Sequence, residues 1–361
     1  MRDKPILIMA GGTGGHVYPA LAIADYLHQK DIPLFWLGTG QGLESRVVPE
    51  KGYQLLTITI SGLRGKGLIK WLQAPVLVSV ALVQAIIILI RIKPAAVLGM
   101  GGFVSGPGGL AAWLMRIPLC IHEQNAIAGL TNRLLAPLAQ CVMEAFPDTF
   151  QKKFRAKVTG NPVRLEIYKV ASPDHRIRIE SDAPMRVLVL GGSQGARKLN
   201  QVMPQMLAGL SRDIKLEIWH QTGVHHYAEA EAAYRELNCK TKLEPFIENM
   251  AEAYAWADIV ICRSGALTVA ELAAAGTASI LVPFPYAVDD HQSANARFLT
   301  EAGAAVLIQE KDLGSESLGR LLSDFYHTRQ RLLKMAQLAR QLAMPAATQE
   351  VAESCLEVAY A

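Results

Sequence analysis

The chain has 361 residues, 51% hydrophobic and 19% charged, with five cysteines and a net charge of +4. That length fits two domains, and the composition excludes a disordered chain. The cysteines show no C-x-x-C spacing, which excludes a disulfide scaffold, gives no zinc signature and points to a reducing compartment. The charge is lopsided. Residues 1–160 carry 16 basic and 8 acidic side chains, whereas residues 161–361 carry 20 and 24. From Lys51 to His122 there are seven basic residues and no acidic one. Such asymmetry points to a negatively charged partner surface, either nucleic acid or anionic lipid.

In chain order, the N-terminal run Pro-Ile-Leu-Ile-Met-Ala is too short for a signal peptide and leads into glycines, not a cleavage site. It reads as a first strand, and the chain as one that starts in the cytoplasm. Further strand candidates are the apolar runs at 34–37, 96–98, 119–122, 186–190, 215–220, 259–262 and 279–282. Helical patterns at 18–30, 126–136, 199–210, 228–237 and 267–275 lie between them. This alternation predicts an α/β protein with parallel sheets covered by helices.

Residues 72–90 are uncharged and long enough to span a bilayer. Pro75 interrupts them, however, and Gln73, Gln84 and Arg91 fall on one helical face, an amphipathic pattern. The segment also stands between consecutive β-α units of one domain. A buried helix is one reading. The flanking Lys66, Lys70, Arg91 and Lys93 favour a helix lying in an anionic membrane interface.

A strand, a glycine-rich turn and a helix start occur at 8–16 and again at 188–197, which predicts two doubly wound domains in series. The boundary should fall between Pro162 and Pro184, in a polar stretch without a core pattern. Pro345 should end one helix before a last helical pattern at 348–360.

Six loops carry the chemistry. Gly11-Gly12-Thr13-Gly14-Gly15-His16 follows the first strand, so its backbone can approach a ligand at a helix N-terminus. A nicotinamide cofactor fits poorly. Val17 stands where the third glycine of GxGxxG should be, and GxxxxGK[ST] is absent. His16 is the natural general base, with a hydrogen-bonding role as the alternative. Gly191–197 offers N–H groups and the Ser193 hydroxyl to a phosphate. Residues 262–271 form a second helix start, with Glu271 able to hold a ribose diol. Gly99–109 holds six glycines at a strand end. His122-Glu123-Gln124-Asn125 and Asp289-Asp290-His291-Gln292 could read sugar hydroxyls or be solvated loops. No D-x-D occurs, which disfavours a metal-bridged nucleotide diphosphate. Glycine-rich helix starts in two domains suggest a nucleoside diphosphate, and glycosyl transfer is the chemistry left. Arg164 or Arg263 could stabilise the leaving group.

The runs GGTGGHVYPALA, SGLRGKG, GMGGFVSGPGGLAAW, HEQNAIAGLTN, GNPVR, GGSQGARKLNQ and CRSGALTVAE together resemble the bacterial MurG family over nearly the whole chain. The resemblance implies a GT-B fold: two Rossmann-like, doubly wound parallel-sheet domains facing a cleft. Residues 1–163 would be an acceptor and membrane-docking domain, with a helix at about 346–361 packed back on it. Residues 164–345 would bind the donor. The implied activity is inverting transfer of GlcNAc from UDP-GlcNAc to the C4 hydroxyl of MurNAc in lipid I, giving lipid II for peptidoglycan synthesis. UDP-GlcNAc, lipid I and an anionic membrane surface are the implied partners, with cell-wall synthesis proteins as candidates. No nucleic acid, metal or tightly bound cofactor is expected. The protein would sit peripherally on the cytoplasmic face of the inner membrane.

Carried over residue by residue, Thr13, Gly14 and Gly15 contact the donor sugar and diphosphate region. Asn125 contacts the donor sugar, and Arg164 and Ser193 lie on the diphosphate side. The Ile247 backbone reads uracil, Ala266, Leu267, Thr268, Val269 and Ala270 form the nucleotide-binding helix start, Glu271 holds the ribose, and Gln292 a GlcNAc hydroxyl. His16 is the leading base candidate, with Glu123 as a helper. One departure stands out: 76–90 carries no basic residue, so docking would lean on apolar insertion. The rival readings are a GT-B-like UDP-GlcNAc epimerase and a non-catalytic nucleotide-sugar-binding membrane protein.

Overall fold

The computed structural model describes residues 4–60, 68–179, 183–192, 195–235, 237 and 239–361; Ser193, Gln194 and the SGLRGKG run lie outside the described residues. The chain divides into two compact units, Met1–Val163 with Met344–Ala361, and Arg164–Ala343.

The first unit contains strands β1 (Ile6–Met9), β2 (Leu34–Gly38), β3 (Leu55–Thr57), β4 (Ala96–Gly99), β5 (Leu119–Glu123), β6 (Cys141–Glu144) and β7 (Lys157–Val158). They pair in the order β3-β2-β1-β4-β5-β6-β7, every neighbour parallel. Its crossover helices are α1 (Gly14–Gln29), α2 (Glu44–Glu50), α3 (Leu68–Ile92), α4 (Ser105–Leu114) and α5 (Leu130–Leu135). The strand β1 shows why an unbroken apolar run is needed. Ile6 and Ile8 pack with Val17, Leu21 and Leu27 of α1, while Leu7 and Met9 pack with Ala81, Ala85 and Leu89 of α3. Side chains alternate across a strand, so a sheet covered on both faces has no solvent side.

The second unit begins with two short helices, α6 (Leu165–Tyr168) and α7 (Pro173–Arg176). Its strands are β8 (Met185–Leu190), β9 (Leu216–Gln221), β10 (Lys240–Glu244), β11 (Ile259–Cys262), β12 (Ala278–Leu281) and β13 (Ala305–Leu307), all parallel in the order β10-β9-β8-β11-β12-β13. They are covered by α8 (Arg197–Ala208), α9 (Tyr227–Tyr234), α10 (Met250–Trp256), α11 (Ala266–Ala275), α12 (His291–Thr300), α13 (Ser315–His327) and α14 (Arg329–Gln341). The last helix, α15 (Ala347–Tyr360), belongs to the first unit. Its Val351, Ala352 and Cys355 are buried beside α1, and Glu353 accepts from Tyr26 Oη at 2.9 Å and Lys30 Nζ at 2.6 Å. Each sheet reverses its strand order beside its first strand, between β1 and β4 and between β8 and β11. Doubly wound sheets bind ligands at the carboxyl ends of strands there.

Two sequence expectations need correction. The polar stretch after Pro162 is not a bare linker, because Ile167, Val170 and Ile177 are buried in the second unit. Its Arg176 is buried as well, donating to the carbonyls of Tyr254 at 3.0 Å, Ala257 at 2.8 Å and Ala275 at 3.0 Å. It thereby caps the C-terminal ends of α10 and α11, and burial pulls its pKa down to about 10.

The outward face of α3 is also not the polar one. Gln84 is half-buried at its flank, accepting from Thr59 N–H at 2.7 Å and donating to Thr59 Oγ1 at 3.3 Å. The outward face is apolar: Val76, Val80, Val83, Ile87 and Ile90 are all exposed. Among the described residues, Pro75–Ile92 is the one helix long and apolar enough to cross a membrane. Yet α3 is the crossover between β3 and β4, strands of one parallel sheet, and Ala81, Ala85 and Leu89 are buried in that sheet's core. A bilayer-spanning path would strip this face from the fold.

Candidate active site

In the first unit, β1 leads into Gly11-Gly12-Thr13, and α1 starts at Gly14. Thr13 O accepts from the N–H groups of His16 at 3.1 Å and Val17 at 3.2 Å. The Thr13 hydroxyl makes no cap bond, so it and the N–H groups of Gly14 and Gly15 face the helix start that a phosphate or sugar oxygen would use. Glu44, fully buried, clamps the loop. It accepts from Gly12 N–H at 3.0 Å, Thr39 N–H at 3.0 Å and Thr39 Oγ1 at 2.7 Å. In sequence Glu44 reads only as an acid at a helix start, so nothing there signals the clamp.

His16 lies in the first turn of α1 and is half-buried. The loop after β4 is shaped around it. A Cβ on Gly101, whose φ is 94°, would meet the imidazole at 2.8 Å. His16 Nδ1 lies 2.8 Å from Gln124 Oε1, and Gln124 Nε2 lies 3.1 Å from His122 Nδ1. His122 Nε2 in turn lies 2.9 Å from Gly160 O. Burial pulls the His122 pKa down to about 4, so His122 is neutral at physiological pH.

Glu123 does not join this chain, which corrects its reading as a catalytic helper. It is buried, and its two oxygens accept four bonds: from Asn125 N–H at 3.0 Å, Asn125 Nδ2 at 3.1 Å, Gly129 N–H at 3.0 Å and Asn132 Nδ2 at 2.9 Å. A carboxylate has about four acceptor sites, so none remains for a substrate proton. Glu123 instead holds Asn125, a candidate sugar contact, in place at the end of β5.

The second unit carries the other candidates. Ala266 to Ala270 form the first turn and a half of α11, capped by Gly265, with Leu267, Thr268 and Ala270 half-buried. Asn295 Nδ2 donates to Ser264 O at 3.2 Å, tying α12 to this helix start. Arg164 and Glu271 meet: Arg164 donates to Glu271 Oε1 at 3.1 Å, and Tyr254 Oη donates to Oε2 at 3.1 Å. Burial raises the Glu271 pKa, and the Arg164 charge opposes that rise. Each oxygen keeps a lone pair for a hydroxyl donor. Tyr254 was missed in sequence because a tyrosine in an apolar helix reads as core.

Gln292 accepts from Phe284 N–H at 2.9 Å, which fixes it beside the loop after β12. Ile247 is buried just past β10. Arg263 is committed elsewhere, which removes it as a leaving-group ligand. It pairs with Glu310 and donates to Val282 O at 3.2 Å and Pro283 O at 3.1 Å. Ser193 lies outside the described residues. Among them, no cluster of three His, Cys, Asp or Glu could hold a metal ion.

Models of the glycosyltransferase family 28 N-terminal and C-terminal domains match residues 6–144 and 186–351. The chain is 54% identical over 354 residues to the UDP-N-acetylglucosamine–N-acetylmuramyl-(pentapeptide) pyrophosphoryl-undecaprenol N-acetylglucosamine transferase of Nitrosococcus oceani, covering 98% of each chain. It is 51% identical over 362 residues to the transferase of the same name from Marinobacter nauticus, covering 99% of each. The crystal structure of Acinetobacter baumannii MurG aligns with a TM-score of 0.85 at 43% identity, covering 98% of this chain and 99% of that one. A UDP-GlcNAc 2-epimerase from Neisseria meningitidis aligns at 0.67 with 13% identity, a likeness of fold alone. The two parallel sheets and these matches make the fold GT-B, and the chain belongs to the MurG family of N-acetylglucosamine transferases.

Proposed function

We infer that this chain transfers GlcNAc from UDP-GlcNAc to the C4 hydroxyl of MurNAc in lipid I, with inversion, giving lipid II for peptidoglycan synthesis. The observation that carries this reading is the 54% identity over 98% of the chain to a transferase of that name. In the step itself, His16 takes the proton of the acceptor hydroxyl as its oxygen bonds to the anomeric carbon. The bond from that carbon to the β-phosphate oxygen breaks, and UDP leaves with the electron pair.

The donor roles divide between the units. Thr13, Gly14 and Gly15 meet the sugar and diphosphate region through the start of α1, and Asn125 contacts the sugar. Ile247 offers its backbone to uracil, Ala266 to Ala270 receive the nucleotide, and Ser193 and Arg164 serve the diphosphate. Glu271 accepts from the ribose diol, with the Arg164 charge opposing the rise in pKa that burial gives its carboxyl. Gln292 donates its amide hydrogens to a GlcNAc hydroxyl. The reaction calls on no tightly bound cofactor.

The exposed apolar face of α3, with Trp113 and Leu114 on the adjoining α4, supports peripheral docking on the cytoplasmic leaflet where the lipid acceptor resides. The test is UDP release from UDP-GlcNAc with and without a lipid I analogue. Acceptor-dependent release is expected. UDP-ManNAc formed from UDP-GlcNAc alone would favour the epimerase, and donor binding with no release would favour a non-catalytic binder.

A further inference from the structure

The hydrogen bonds behind His16 end on main-chain carbonyls, which only accept. His122 Nε2 lies 2.9 Å from Gly160 O, so it carries the hydrogen, and Nδ1 of the neutral ring is a bare acceptor. One end of the Gln124 amide lies 3.1 Å from that Nδ1 and 3.3 Å from His122 O. Two acceptors can be met only by the NH2 group. The reverse orientation would set an oxygen against both, leaving His122 Nδ1 and that oxygen without a donor, since His122 O alone also accepts from Asn132 Nδ2 at 3.1 Å. Oε1 therefore faces His16 Nδ1 at 2.8 Å. An amide oxygen also only accepts, so Nδ1 of His16 holds its hydrogen. No described residue bonds to His16 Nε2, and the ring's bare lone pair falls there.

We propose that Gln124, oriented by His122 and by the carbonyls of His122 and Gly160, is a positioning residue that holds His16 as the Nδ1–H tautomer, so that Nε2 is the atom taking the acceptor proton. This rests on reading His16 as the base. The choice of an amide has a chemical consequence. A carboxylate at this point would favour the imidazolium before substrate arrives, whereas a neutral amide orients the ring without adding a charge beside it. The Nδ1–H···Oε1 bond then strengthens as the imidazolium forms, since a charged donor makes the stronger bond.

Nitrogen-15 spectra of the histidine-labelled full-length protein near neutral pH, with His16→Ala to assign the signals, read the tautomer without any Gln124 variant. Protonated Nδ1 and bare Nε2 are expected. Protonated Nε2 with bare Nδ1 overturns the inference. Gln124→Met should mix the two tautomers and lower kcat about 10- to 100-fold, the cost of a lost orienting partner, while KM for UDP-GlcNAc changes by less than about twofold. Gln124→Glu keeps an acceptor towards His16 but favours the imidazolium, so it should hold the Nδ1–H tautomer and recover kcat only as the pH is raised. Equal losses in both variants at every pH, with the tautomer unchanged, overturn it. The base reading fails on a separate result: near-normal turnover in His16→Ala, whatever the tautomer.

Discussion

His122 and Glu123 are neighbours on β5, and each is buried among partners that leave it no direct chemistry. The proposed base is His16, of which Nδ1 alone is engaged among the described residues. His16→Ala should lose most turnover yet keep UDP-GlcNAc affinity, which kinetics and calorimetry together would show. Glu271→Ala removes charge-assisted bonds worth about 1.5–3 kcal/mol each, so UDP binding should weaken at least about tenfold. An unchanged dissociation constant would remove the ribose role. Burial also sets a pH limit on stability. His122 is pulled down to about 4 and His220 to about 3, whereas an unfolded histidine titrates near about 6.5. Below that value the unfolded chain takes protons that the folded one refuses. This stability is therefore full above about pH 6.5 and declines as pH falls towards 4, by about 2 kcal/mol per histidine at pH 5. Denaturant midpoints at pH 7 and 5 should show the decline, and His122→Gln should reduce it in the first unit.

At the scale of elements, glycine-rich turns and long apolar strands were readable because their composition follows from backbone geometry and two-sided burial. The strands β7 and β10 were not readable: both lie at sheet edges, and their lysines serve the polar side of an edge. Arg176 made a packed segment look like a linker, since sequence does not show that six acceptors await its guanidinium. The cysteines, scattered in sequence, partly converge. Cys120 contacts Cys141 and Cys355, and these contacts with burial push its thiol well above the ordinary range. In α3 the composition was legible but its orientation was not, because small alanines took the core face and branched residues the outer one. Val83 and Ile87 are 55% and 59% exposed, so glutamine at both should spare the fold. The double variant should lower partition onto phosphatidylglycerol vesicles at least about tenfold, measured by sedimentation, through lost apolar insertion. Undiminished binding would remove α3 from the docking surface.

For the whole molecule, the net +4 averages two halves with different chemistry. The first carries an acid-free, basic stretch around an apolar helix, which suits an anionic membrane. The second is mildly acidic, and its proposed donor contacts are a helix start and the Arg164–Glu271 pair. Two doubly wound domains were legible from the repeated strand, turn and helix. The pairing of Arg164 with Glu271 and of His16 with Gln124 was not, because each joins residues more than 100 positions apart. The most direct test of the account is the product of UDP-GlcNAc and a lipid I analogue, followed by proton NMR with UDP counted in parallel. One UDP per GlcNAc transferred, and a β-configured linkage to the MurNAc C4 oxygen, is the predicted result; an α linkage, or consumption of UDP-GlcNAc without acceptor, would contradict it.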